Sequence, residues 1–142
     1  SDEMKLIFAS SQNLGNDKRA RYVADRKPET IWHTQFNPSL EKHPHEIVLD
    51  LKKNRKVGGV QYLARQDPGW NGTFAKTEFY LSGKRDVFDG KPMATIFKKR
   101  KTPQTFRFPK TLEGRFLRIR ILSEVTGKPW ASAAEIGVLI DE

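Results

Sequence analysis

Cysteine is absent from the 142 residues, which excludes a disulfide framework and thiol catalysis. It does not choose a compartment, because exported and cytosolic domains alike dispense with the residue. No apolar run approaches the roughly 20 residues that a membrane-spanning helix needs. A Gly-rich phosphate loop, Gly-x-Ser-x-Gly and His-Glu-x-x-His are all missing. Carboxylates are scattered and outnumbered, 17 against 26 Lys and Arg, so none is set apart as a pair for acid–base work. Ser1-Asp2-Glu3 is acidic and lacks the basic n-region and apolar stretch of an export signal, so no signal is visible in this sequence. Nothing here points to an enzyme.

Apolar residues make up 37% and charged residues 30%, the balance of a globular chain with a polar surface. The length suits a single domain, residues 1–142, with a substantial core. The net charge of +9 raises an anionic partner as a first thought. The basic residues are spread along the chain, however, and the densest group, Lys98-Lys99-Arg100-Lys101, falls between two apparent strands. It reads as a solvated hairpin, which argues against a nucleic-acid interface.

Strand signals dominate. Residues 5–10 form a first strand, and residues 19–24 one or two helical turns ended by Pro28. Residues 36–44 form an exposed loop. Ile47, Leu49 and Leu51 alternate along a strand, and Lys52-Lys53-Asn54-Arg55 makes a turn. Residues 57–66 return with Val60, Tyr62 and Ala64 on one face. Asp67-Pro68-Gly69-Trp70-Asn71-Gly72 is turn chemistry. Further strands span 73–82, 93–98, 104–108 and 115–122, the last with Leu117, Ile119 and Ile121 inward, and 134–140 closes the series. About eight strands with turn-rich connections predict an all-β antiparallel sandwich whose first and last strands lie close together.

Binding chemistry is the positive signal. A sugar site needs an aromatic ring for the C–H face of a pyranose and rigid polar groups for its hydroxyls. Trp70 and Trp130 sit among turn formers, whereas Trp32 beside Ile31 belongs in the core. His33, Arg65 and Asn71 supply polar groups, with His33 and Arg65 expected to donate to adjacent hydroxyls. His43 and His45 are a loop residue and a strand entry; only Glu41 or Glu46 is near enough to complete a zinc set, so a zinc site is not favoured.

The order Asp25, Glu29-Thr30-Ile31-Trp32-His33-Thr34, then Pro44-His45-Glu46-Ile47-Val48-Leu49-Asp50-Leu51, resembles the F5/8 type C (discoidin) family. It is most like the family 32 carbohydrate-binding modules. The likeness continues through Tyr62-Leu63-Ala64-Arg65-Gln66, Asn71-Gly72, Glu78-Phe79-Tyr80-Leu81-Ser82 and Gly114-Arg115-Phe116-Leu117-Arg118-Ile119-Arg120. It ends in Ser123-Glu124-Val125-Thr126-Gly127-Lys128-Pro129-Trp130 and Ala134-Glu135-Ile136, so it spans nearly the whole chain.

The resemblance implies a galactose-binding-domain-like jelly roll and a non-catalytic role. The ligand implied is a carbohydrate ending in galactose or N-acetylgalactosamine, the setting secreted, periplasmic or cell-surface, with covalently linked glycan-active domains. By position the ligand would meet His33, Arg65 and Asn71, with Trp130 or Trp70 as the stacking platform. It also implies a structural Ca2+ held by the carboxylates of Asp25 and Glu135, by Thr30, and by carbonyls near Val23, Lys27 and Ala134. One departure stands out. The family usually has Gly after the Asp, whereas here Arg26 follows Asp25; a positive φ would strain it, and its charge opposes a cation. The alternative function is binding of an anionic partner, whether a sulfated glycan, a phospholipid surface or nucleic acid, with Trp70 or Phe74 as an exposed apolar spike.

Overall fold

Alternate side chains leave a strand on opposite faces, so a period-two apolar pattern commits one face to the interior. The computed structural model describes residues 4–37 and 39–141. Ser1-Asp2-Glu3 and Pro38 of the expected loop lie outside the described residues. In chain order the strands are β1 (Lys5–Ala9), β2 (Trp32–His33), β3 (His45–Leu63) and β4 (Lys76–Ser82), then β5 (Met93–Ile96), β6 (Gln104–Ile121), β7 (Ser132–Ala133) and β8 (Glu135–Ile140). Among the described residues the helical elements are two short 3-10 helices, Leu14–Asn16 and Ala20–Ala24. The second fills the stretch expected to turn helically.

Every strand ladder is antiparallel, in the order β1-β3-β6-β4-β5 with β8 also on β3. β2 and β7 form a separate small ladder that the residue pattern did not suggest. Two expected breaks are absent. Strands expected at 47–51 and 57–66 are one strand, β3, and those at 104–108 and 115–122 are one strand, β6. The expected turn at residues 52–55 is a register break between Asp50 and Arg55, with Lys52 at a φ of 75°. The apolar alternation stops there, but backbone pairing needs no apolar side chains and continues. The strand expected from Thr73 begins at Lys76, since Thr73 and Phe74 make only isolated bridges.

A straight strand as long as β3 would run about 60 Å, more than a domain of this size spans. β3 and β6 therefore bend, and their halves serve both layers of a sandwich. β1 pairs with the first half of β3, Leu6 opposite Leu49, and β8 with the second, Val60 opposite Val138. The first and last strands thus share one neighbour rather than each other. Ile47, Leu49 and Leu51 from one half of β3 and Val57, Val60 and Tyr62 from the other enter one core with Leu117, Ile119 and Ile121. Across the layers, the Phe79 ring lies 5.8 Å from Phe106 and 6.0 Å from Phe108.

The bend brings both ends of β3 to one cluster of loops. At its start, His45 Nε2 donates to the Pro129 carbonyl at 2.7 Å. Just past its end, Arg65 donates to the Asn71 carbonyl at 3.1 Å, which also accepts from Ser132 Oγ at 2.6 Å.

Candidate functional site

Three segments build the loop face: the β2 strand, the turn after Arg65, and residues 130–133. Their backbones are sewn together. His33 pairs with Ser132, the Thr34 amide donates to the Ala131 carbonyl at 2.9 Å, and the Ser132 amide donates to the Gly72 carbonyl at 2.8 Å. Gly72 has a φ of 89°, and a Cβ there would lie 2.6 Å from the Ser132 nitrogen, so no other residue fits that approach.

The structure brings His33, Arg65, Asn71 and Trp130 together on this face. The His33 and Trp130 rings are 5.8 Å apart and tilted by 52°, and Phe36 meets His33 edge-on at 5.1 Å. His33 is buried, and that burial, with the positive charge of Arg65 nearby, holds its imidazole below its ordinary pKa. Its Nδ1 lies 2.6 Å from the Thr34 carbonyl, which can only accept, so the proton sits on Nδ1. Nε2 of the neutral ring is therefore an acceptor. This corrects the expectation that His33 donates to a ligand: it offers a lone pair and Arg65 offers the protons.

Arg65 is itself fixed. Its Nε and Nη2 grip Asp67 at 2.8 and 2.7 Å, and Nη1 reaches the Asn71 carbonyl. Of the five N–H groups of a guanidinium, three are engaged in this way and two remain. Asn71 contributes its carbonyl to the frame, while its residue is exposed. Trp130 is half-buried, and its indole Nε1 is buried without a partner among the described residues.

Trp70 stands differently. The Lys101 ammonium sits over its ring at 4.0 Å and Lys99 at 5.4 Å, so a cation already occupies its π face. Lys101 also donates to the carbonyls of Arg65, at 2.9 Å, and Gly69. The basic turn is thus not wholly solvated, as expected, but packed onto the site's own loop. Nor is Phe74 an exposed spike. It is 1% exposed and stacks on Tyr62 with centroids 4.1 Å apart, beside the buried Trp32.

Supporting residues went unseen in the residue pattern. Glu124 is buried and takes four donors: the amides of Gly72 (2.7 Å), Thr126 (2.6 Å) and Lys128 (3.0 Å), and the Thr126 hydroxyl. Tyr62 donates to the Ser132 carbonyl at 2.9 Å and accepts from the Phe74 amide at 3.1 Å; complete burial pushes its phenol up. His43 and His45 stack edge-on at 4.6 Å, and burial lowers both. Among the described residues no group of three or more His, Cys, Asp or Glu side chains is placed to hold a metal.

The second expected site lies around residues 25–30, in the segment that leads into β2. Asp25 accepts from the Thr30 hydroxyl at 2.5 Å and the Lys27 amide at 2.9 Å. The Lys27 carbonyl takes the Thr30 amide at 3.2 Å and lies 3.0 Å from the Thr30 hydroxyl oxygen. Val23 and Ala134 are fully buried on either side. Burial, then a hydrogen bond to Asp25 and repulsion from its charge, push Glu135 up to about 7, against the opposing Lys27 amide. Glu135 Oε1 is buried with no partner among the described residues. Arg26 carries the positive φ, 62°.

The F5/8 type C domain profile matches residues 7–136. The chain belongs to the F5/8 type C domain family. This F5/8 type C domain is 35% identical to a sialidase of Micromonospora viridifaciens, over 96% of the chain and 22% of the sialidase. It is 32% identical to a galactose oxidase of Gibberella zeae, over 93% of the chain and 19% of the oxidase. The chain thus spans about a fifth of the length of these curated relatives. Among solved structures, a family 32 carbohydrate-binding module of Clostridium perfringens in complex with GalNAc-β-1,3-galactose superimposes with a TM-score of 0.84. The two are 29% identical, over 96% of this chain and 95% of that one. A second such module from the same organism, in complex with galactose, gives a TM-score of 0.79 at 25% identity, over 96% and 93% of the chains. No helix among the described residues is long and apolar enough to cross a membrane.

Proposed function

We propose that this domain is a non-catalytic carbohydrate-binding module for terminal galactose or N-acetylgalactosamine, held in shape by a structural calcium ion. On this reading it serves a secreted or cell-surface polypeptide with linked glycan-active domains, which it concentrates at their substrate. The observation that carries the reading is the meeting of a lone-pair acceptor on His33, two spare Arg65 protons and the Trp130 ring on one face. An axial C4 hydroxyl and its equatorial neighbour present one donor and two acceptors to such a pair, while the apolar C–H face rests on indole. The printed ligands of the two clostridial modules favour the same sugars.

Asp25, Thr30 and Glu135, with the carbonyls beside them, form a clamp whose oxygens suit calcium. Two carboxylates sharing one half-buried site, with an orphaned oxygen on Glu135, repel each other until a cation or a proton relieves them. Asp25, Glu135, Thr30 and the carbonyls of Val23, Lys27 and Ala134 would hold it. A hard cation there would fix the loop that delivers the β2 strand, and with it His33.

Titration calorimetry with galactose, N-acetylgalactosamine and glucose tests the sugar reading. Binding with Kd on the order of a millimolar is expected for the first two, since a single sugar buries little area. Arg65→Ala and Trp130→Ala should each weaken it at least about tenfold. Absence of binding to every monosaccharide, or variants that bind unchanged, would overturn it.

A further inference from the structure

The turn Lys98-Lys99-Arg100-Lys101 carries the densest positive charge of the chain and lies against the sugar-reading loop. Its parts play unequal roles. Lys101 is spent on structure: its ammonium donates to the Arg65 and Gly69 carbonyls and covers the Trp70 ring. Lys99 leans on the same ring from 5.4 Å, and Lys98, Lys99 and Arg100 are exposed. Among the described residues none of these three pairs with a carboxylate.

The acidic groups nearby are already committed. Asp67 spends both oxygens on Arg65 and accepts from the Gly69 amide at 3.1 Å. Glu124 is buried under its four donors. Among the described residues the rim beside Trp70 therefore presents Lys99 and Arg100 with no carboxylate paired to them, one residue from Asn71. Trp70 anchors those cations and is not a free platform for a sugar face.

We propose that this face takes a galactoside whose neighbouring residue carries a sulfate or a carboxylate, the anion resting on Lys99 and Arg100 beside Trp70. The inference rests on the galactoside reading above and adds the class of glycan. The terminal sugar is read by His33, Arg65 and Trp130, and the next residue extends over the 69–71 turn toward the basic rim. Guanidinium and ammonium groups suit these two anions alike.

The test compares N-acetyllactosamine, the same disaccharide 6-sulfated on its glucosamine, and galactosyl-glucuronic acid, each titrated at 50 and 500 mM salt. An anionic form should bind about threefold to tenfold tighter than the neutral one at low salt, as two exposed charge contacts allow. The advantage should shrink at high salt. The arm that gains, sulfate or carboxylate, identifies the anion. The double variant Lys99→Ala/Arg100→Ala should abolish the advantage while leaving neutral N-acetyllactosamine unaffected. Equal affinity for neutral and anionic forms, an advantage that survives the double variant, or equally tight binding of a sulfated glycan without galactose would overturn the proposal and leave the galactoside reading standing. If no galactoside binds, that underlying reading falls, and this one with it.

Discussion

Two glutamates separated by eleven positions show two uses of a carboxylate. Glu124 is buried, and both its oxygens are filled by donors from the loop it holds. Glu135 is less deeply enclosed, yet one oxygen is orphaned and its neighbour is another carboxylate. The first is complete within the chain: it exchanges water for amides and fastens the Gly72 turn to the Trp130 loop. The second is incomplete, and the free energy of its pair stays unfavourable until something positive arrives. Burial alone does not separate structural from ligand-seeking acids; the balance of donors does.

The largest expected effect breaks the complete member. Glu124→Ala strands the buried Gly72 amide and three part-buried donors and should cost about 3 kcal/mol in chemical denaturation, with or without calcium. It should also loosen the 70–72 turn and weaken sugar binding. A cost under 1 kcal/mol would show that water replaces the carboxylate easily.

Calcium sharpens the contrast. Saturating the clamp at about 100 times its Kd should add about 2.7 kcal/mol, and a chelator should remove it. Asp25→Asn and Glu135→Gln should each abolish that increment. Without calcium, Glu135→Gln should leave stability unchanged or raised, the opposite sign to Glu124→Ala. A loss of stability in the metal-free Gln variant would sink the repulsion argument.

The same pair predicts an unusual pH dependence. The folded domain keeps the Glu135 proton up to about 7, whereas an unfolded glutamate releases it near its ordinary value of 4.5. Between those values unfolding releases the Glu135 proton, so this group's contribution to metal-free stability should fall as pH rises. Buried His33, His43 and His45, held below their ordinary pKa, act in the opposite sense, so the test is a difference: in thermal melts in chelator from pH 5 to 7.5 the wild type should lose stability relative to Glu135→Gln. A difference between the two proteins that stays constant over this interval would contradict the assignment.

Arg26→Gly is the smallest test. Relief of a left-handed backbone at a non-Gly residue should gain about 0.5–1 kcal/mol, reduced by the looser unfolded chain. The gain should be larger with calcium bound, because a nearby cation is removed as well.

These contrasts mark what could be read in advance. Alternation along Ile47, Leu49, Leu51 and along Leu117, Ile119, Ile121 reports burial directly, because a sheet has only two faces. Trp32 was legible from its apolar neighbour. The convergence of His33, Arg65, Asn71 and Trp130 was legible only through the ordered resemblance, since no local pattern joins them. The anchors of the face were not legible. Glu124 to Gly72, Tyr62 to Ser132 and His45 to Pro129 join residues 52, 70 and 84 positions apart. A composition of turn formers also predicts exposure for Trp70 but cannot reveal that Lys101 comes to cover it. The merged strands β3 and β6 were missed for a related reason: backbone pairing leaves no trace in side-chain polarity at the bend.

That bend makes the molecule a folded ribbon with a working end and a handle. His45 and Arg65 return to the sugar face, while residues 52–55 project from the opposite turn of the same strand. Lys53 and Asn54 are exposed there. A dye, a surface linker or a fused protein attached at Asn54 would point away from the glycan, so the domain could serve as an oriented probe without redesign of its reading loops.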